Sequence, residues 1–214
     1  PNFELIVDDI LEQDQRQKLN SYIKKWLKNK IETVLRSLID LKNLKDKHSS
    51  IKALAYQLYE NNGVLIRDNI TEYLKNLGQG ERKILRDLGV KFGRYHVFLH
   101  KLIKPEPVTI RTLLWKNYHQ KYFKLYPPTF GLNFIEDKDK KNKNFMLLCG
   151  FEKFDNFFVR IDILERLFMQ IINSSTEENK EIKLVPEMLN LLGCSKNDFK
   201  KLIQKMNYKI TEKN

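Results

Sequence analysis

A chain of 214 residues that is 42% hydrophobic and 31% charged has an ordinary globular composition, and its 13 Phe, 9 Tyr and 2 Trp exclude a disordered chain. Its 39 Lys and Arg stand against 27 Asp and Glu, a net charge of +12. That balance favours a polyanionic partner such as RNA, DNA or an acidic protein surface, set against a merely solvated basic exterior. The two cysteines, Cys149 and Cys194, fit no zinc spacing and no disulfide framework, so both thiols should be reduced. No apolar run nears the roughly 20 residues of a membrane span and no signal peptide opens the sequence, so a soluble, cytoplasmic protein with no membrane contact is expected. A start at Pro1 in place of Met reads as a processed or excised piece.

Apart from Pro1 no proline precedes Pro105, so residues 2–104 hold little that interrupts helices. From Asp14 to Ser50, the apolar Leu19, Ile23, Trp26, Leu27, Val34, Leu35 and Leu38 recur at three- and four-residue steps. The spacing predicts one long helix with a buried stripe. The other face carries Arg16, Lys18, Lys24, Lys25, Lys28, Lys30, Arg36, Lys42, Lys45 and Lys47 against Asp14, Glu32, Asp40 and Asp46. Such a face either tracks phosphates or is simply solvated. Three shorter helices follow, stopped by Gly63, Gly78 and Gly89. Ser49 or Ser50 caps the first, which turns Ile51, Leu54, Ala55 and Leu58 inward. Asp68 caps the second, over Ile70, Tyr73, Leu74 and Leu77, and Ile84, Leu85 and Leu88 serve the third. The succession reads as a bundle or an array of helical hairpins.

After Gly89 the residues Val90, Phe92, Tyr95, Val97, Phe98 and Leu99, interrupted by Gly93, have the character of a strand or a bulged hairpin. Pro105 and Pro107 mark a turn, and Pro107 opens a helix over Ile110, Leu113, Leu114 and Tyr118 that ends before Pro127 and Pro128. Glu136 to Asn144 is charged and without apolar content, as a linker is. Beyond it, Phe145 to Cys149 and Phe157 to Ile161 predict a hairpin, and Leu164, Leu167, Phe168 and Ile171 a helix. Val185 to Leu192 predicts a short helix stopped by Gly193, while Ser195 and Asp198 start a last one over Phe199, Leu202, Ile203 and Met206. This pair also fits a helix-turn-helix, as any helical hairpin does. The fold expected is α+β, mainly α: a helical bundle over 1–104 ending in the strand-like segment, a helix and charged linker over 105–144, and a small α+β part over 145–214.

No phosphate loop, dinucleotide fingerprint, zinc-protease helix, nucleophile elbow or paired CxxC occurs in the sequence, so no catalytic residue is assigned. His96 and His100 on one strand would stand about 13 Å apart, too far to share a metal ion. Cys149 reads as an inert buried thiol, and Cys194, at a helix start, as either a thiol of lowered pKa or a plain capping-region residue. The composite worth weighing is Lys91, Arg94, Tyr95, His96, Lys101 and Lys104, in which cations that hold phosphates alternate with rings that stack bases. The same interleaving also suits plain packing.

The segment containing those residues, GVKFGRYHVFLHKLIKPEP from Gly89 to Pro107, resembles the signature of the post-motor, C-terminal region of bacterial helicase-related proteins. That family is similar to the mitochondrial degradosome RNA helicase. YQLYENNGVLIRDNI and RKILRDLGVKFG upstream, with IRTLLW, VRIDILERL and VPEMLNLLGCSKNDFKKLIQKMNYKI downstream, resemble the same region from about Ile51 onward. The chain departs from the pattern at His100, where relatives carry proline. The resemblance implies a parent with two RecA-like motor domains that uses ATP and Mg to unwind RNA or DNA. None of its ATPase residues lies in this chain, and no cofactor is expected here. By the same resemblance the chain would brace the motor, extend its nucleic-acid channel or recruit a partner such as a nuclease. The expected function is therefore an accessory region that binds single-stranded RNA or DNA. The alternative is a protein-interaction module without nucleic-acid binding. A standalone enzyme would need a convergent group of Asp, Glu, His or Cys that the sequence does not display.

Overall fold

The computed structural model describes residues 12–44, 49–120, 123–138, 140–174 and 185–209. Pro1, Lys45, Asp46, Lys47, Asp139 and Ile210, which enter the expectations above, lie outside the described residues. The fold is α+β and mainly α, with ten α-helices and two three-stranded antiparallel sheets among the described residues.

The long helix expected from Asp14 to Ser50 is divided. Helix α1 (Gln13–Val34) gives way at Leu35 to α2 (Arg36–Lys42), and α3 (Ser49–Glu60) follows. Leu35, Leu38 and Leu41 turn into the core, each removal from water contributing about 2 kcal/mol. Helix α1 has no buried residue: Leu19, Ile23 and Leu27 of the expected stripe are half-buried, and Trp26 is 55% exposed. Helix α3 ends through Asn62 (φ 55°) and Gly63 (φ 83°), whose N–H donates to the Leu58 carbonyl at 2.6 Å. Strand β1 (Val64–Ile66), a 3-10 turn, α4 (Thr71–Lys75) and α5 (Gln79–Asp87) come next. Gly78 does not stop a helix but begins α5, its N–H donating to the Glu81 carboxylate at 2.5 Å. Ser50 lies inside α3 and gives its hydroxyl proton to the same Glu81, while Asp68 lies within the 3-10 turn and does not cap α4. Tyr73 and Ile84, read as inward, are each 36% exposed.

Strands β2 (Val90–Phe92) and β3 (His96–Leu99) form a hairpin, with β1 on the other side of β3. All four residues of β3 are buried. Alternation along a strand sends neighbours to opposite faces. Val97 and Leu99 accordingly join the core of α2 to α5, while Phe98 packs with Val64, Ile103 and Ile161. The helices cover one face of the sheet, and the second half of the chain covers the other.

That second half begins with a 3-10 turn and α6 (Pro105–His119), which Pro105 and not Pro107 opens. Its buried residues are Pro107, Val108, Arg111 and Thr112, whereas Leu113 and Tyr118, expected inside, are 59% and 83% exposed. Phe145 to Cys149 is not a strand. Lys143–Leu148 forms α7, started by Asn142, whose side-chain oxygen accepts the Phe145 N–H at 2.9 Å. The hairpin is made by β5 (Phe151–Phe154) and β6 (Phe157–Arg160), and β4 (Phe134–Glu136) pairs with the far edge of β6. Helices α8 (Ile161–Ser174), α9 (Pro186–Leu192) and α10 (Lys196–Lys205) complete the chain, with Gly193 (φ 68°) and the Ser195 cap as expected. Like β3, β6 is central and packed on both faces. Phe157 and Val159 meet α8 to α10, and Phe158 meets Phe145, Met146 and Val108.

Replacing Gly63 by Ala would place a methyl group against the Leu102 side chain at a left-handed backbone position. The substitution should cost about 3 kcal/mol, read as a lower urea midpoint with an unchanged slope.

Candidate functional site

The β2–β3 turn is tight because Gly93 allows it, and it aims three successive N–H groups outward. The Glu165 carboxylate on α8 accepts all three: Arg94 at 2.5 Å, Tyr95 at 2.9 Å and His96 at 3.0 Å. A Cβ on residue 93 would overlap that carboxylate, so any larger residue would displace it from the three amides. Arg67 closes the turn from behind, its guanidinium donating to the Gly93 carbonyl at 2.6 Å. The His96 side chain is 1% exposed and runs from the centre of the first sheet into the second half of the chain. Its Nε2 lies 3.0 Å from the Glu152 carboxylate on β5, and its Nδ1 lies 3.5 Å from Glu165, an electrostatic contact at the outer limit of a hydrogen bond.

Burial by itself would disfavour the charged imidazole, but the hydrogen bonds and charges of Glu152 and Glu165 prevail and raise the His96 pKa above its usual 6.5. Glu165 moves the other way. Burial opposes its ionisation, yet His96 and the Tyr95 and Arg94 amides hold its pKa below 4.5. A buried imidazole between two carboxylates is a fastening, and the same shielding keeps substrate away from it. Among the described residues no group of three or more His, Cys, Asp or Glu side chains could hold a metal ion.

The six residues singled out from the sequence do not form one surface. His96 is core, and Tyr95 is half-buried, its ring 5.7 Å from Phe168 edge to face and its pKa pushed up to about 12, chiefly by burial. Neither ring is free to stack on a base. Lys91, Arg94, Lys101 and Lys104 are exposed, with the Arg94 guanidinium 6.0 Å from the Phe168 ring. Two of these cations converge. Half-buried His100 has its pKa lowered by burial and by Lys104, then by Lys91 and Arg160, against an opposing pull from Asp162. Lys91, Lys104 and Arg160, drawn from both halves of the chain, thus all act on the charge of one imidazole. Arg160 keeps a two-pronged bond to Asp162, at 2.7 and 3.2 Å.

Sequence reasoning missed Glu152, Glu165, Arg160 and Arg111. Arg111 is 2% exposed and has no carboxylate partner among the described residues, its two terminal nitrogens donating to the carbonyls of Asn62 at 2.6 Å and Leu102 at 2.5 Å. A charged residue three positions after Val108, on the face that α6 buries, was the signal that could have found it. Neither thiol is activated. Burial pushes Cys149 up to about 12 and Cys194 up to about 11, so the lowered pKa weighed for Cys194 does not arise. The chain matches no known family model, no curated protein and no solved structure.

The fastening should be visible in the pH dependence of stability. A raised folded-state pKa means that the His96 contribution is complete below pH 6.5 and is lost as pH rises through the folded value. The Glu165 contribution holds above pH 4.5 and is lost as pH falls through its lowered value. The urea midpoint should therefore fall between pH 6 and pH 9, and His96→Gln should flatten that fall. Glu165→Gln should cost about 3 kcal/mol at neutral pH.

Proposed function

We propose that this chain is the accessory, post-motor region of an ATP-driven helicase-like protein and that it binds single-stranded nucleic acid through backbone charge. The observation that supports this reading best is that Lys91, Arg94, Lys101 and Lys104 are all exposed on one signature segment, with the charges of Lys91, Lys104 and Arg160 all acting on His100. A rigid platform that gathers cations from two halves of a chain of net charge +12 suits a phosphate backbone. Because Tyr95 and His96 are engaged internally, contact at this platform is electrostatic and indifferent to base sequence. ATP hydrolysis would belong to the motor that the resemblance implies, and this region would contribute positioning and no chemistry of its own. Two unpaired cysteines suit the cytoplasm. Among the described residues no helix is long and apolar enough to cross a membrane.

A protein-docking role draws on a different observation. Tyr22 and Trp26 lie one turn apart on α1, 68% and 55% exposed. The two readings separate on salt. Affinity for a fluorescent oligouridine should fall linearly on a logarithmic plot, with a slope of about −3 if four phosphates are contacted. Lys91→Glu with Lys104→Glu should weaken binding at least tenfold at low salt. Binding that ignores both salt and these substitutions overturns the strand-binding reading.

A further inference from the structure

An open groove of about 840 Å³ lies between α1, α2 and the end of α3 in the first half of the chain and α6 of the second, and the proposed strand platform does not use it. Its floor is apolar, formed by Leu27, Ile31, Leu35 and Leu114. Tyr59 lines one wall, and Tyr118, which is 83% exposed, another. Four cations, Lys24, Lys28, Lys42 and Arg111, face two carboxylates, Glu32 and Glu60, around its walls. A volume within the usual range for small ligands, an apolar bed and a few placed charges are what a ligand-sized site presents.

The charges are only partly neutralised within the groove. Lys28 lies 3.9 Å from Glu32, and Lys42 lies over the Tyr59 ring at 4.9 Å. Lys24 pairs with no carboxylate among the described residues. Arg111 also lines the groove, withdrawn from water, and among the described residues its hydrogen-bond partners are two backbone carbonyls while its Nε has none. A desolvated guanidinium without a counter-ion leaves a fixed positive field in the wall it lines, because burial removes the water that would screen it. Burial lowers its pKa to about 10, so it is still cationic at neutral pH.

We propose that this groove seats a single phosphorylated nucleoside, with the base against Tyr118 and the apolar floor, and the phosphate toward Lys24 and Lys28 in the field of Arg111. A planar ring joined to a dianion matches rings and unneutralised cations that share one cleft. The occupant is either a free nucleotide or one unit of a strand, since the chemistry recognised is the same. The site is separate from the cation platform around His100 and does not depend on it.

The test is equilibrium binding of fluorescently labelled AMP to the full chain, with oligouridine as competitor. Saturable binding is expected, weakened at least tenfold by Lys24→Glu with Lys28→Glu and several-fold by Tyr118→Ala, with urea midpoints unchanged because these side chains are exposed. Displacement of AMP by oligouridine assigns the seat to a unit of a strand, and persistence of AMP assigns it to a free nucleotide. A protein that takes up no AMP, and that holds oligouridine at full affinity after the lysine substitutions, overturns the groove site while leaving the strand platform standing. AMP binding that is indifferent to both sets of substitutions also overturns it.

Discussion

One carboxylate sets the relation between the two halves of this molecule. Glu165 accepts three consecutive amides of the β2–β3 turn and lies 3.5 Å from His96, so a strand buried on both faces meets its only polar side chain's needs across the boundary. A buried imidazole without partners would cost several kcal/mol, and the two carboxylates that relieve it come from β5 and α8. Gly93 is the steric condition for this arrangement. The consequences spread outward from that point. Phe98 can lie against Ile161, and the charges of Lys91, Lys104 and Arg160 all act on His100.

The distribution of charge follows from what each half must bury. Helix α1 buries no residue and keeps its lysines in water, held against α6 in part by the Lys30–Glu106 ion pair. Helix α6 does the opposite and turns Arg111 inward, where it bonds the carbonyls that follow α3 and precede α6. The basic character of the chain is thus divided between solvated lysines, which salt screens readily, and one guanidinium that salt cannot reach.

Local signals were legible where the physics was local. The Ser195–Asp198 start of α10, the left-handed Gly193 and the strand character of Val90 to Leu99 could all be read directly, because caps and β-branched runs act within a few residues. Phe145 to Cys149 could not, since a short apolar run fits helix or strand alike until Asn142 caps it. Strand β1 was missed because three residues become a strand only through pairing with β3. Half of the stripe assigned to α6 held, Ile110 and Leu114 packing on the core, while Leu113 and Tyr118 stay in water and Thr112 is buried. Nothing near the signature segment announced Glu165, which is 69 to 71 positions away from the amides it binds. The exposed cations Lys91, Arg94, Lys101 and Lys104 were legible and Arg160 was not, while the burial of His96 and Tyr95 beside them depended on partners that only the tertiary structure reveals.

The three amide bonds to Glu165 also have a mechanical meaning. They share one acceptor and lie side by side, so a force that drags the second half away from the first loads them together and not one after another. Such a joint resists until it fails as a unit, and it transmits displacement with little slack. A pull on either half would therefore move both as a single lever, with the hairpin turn as its rivet.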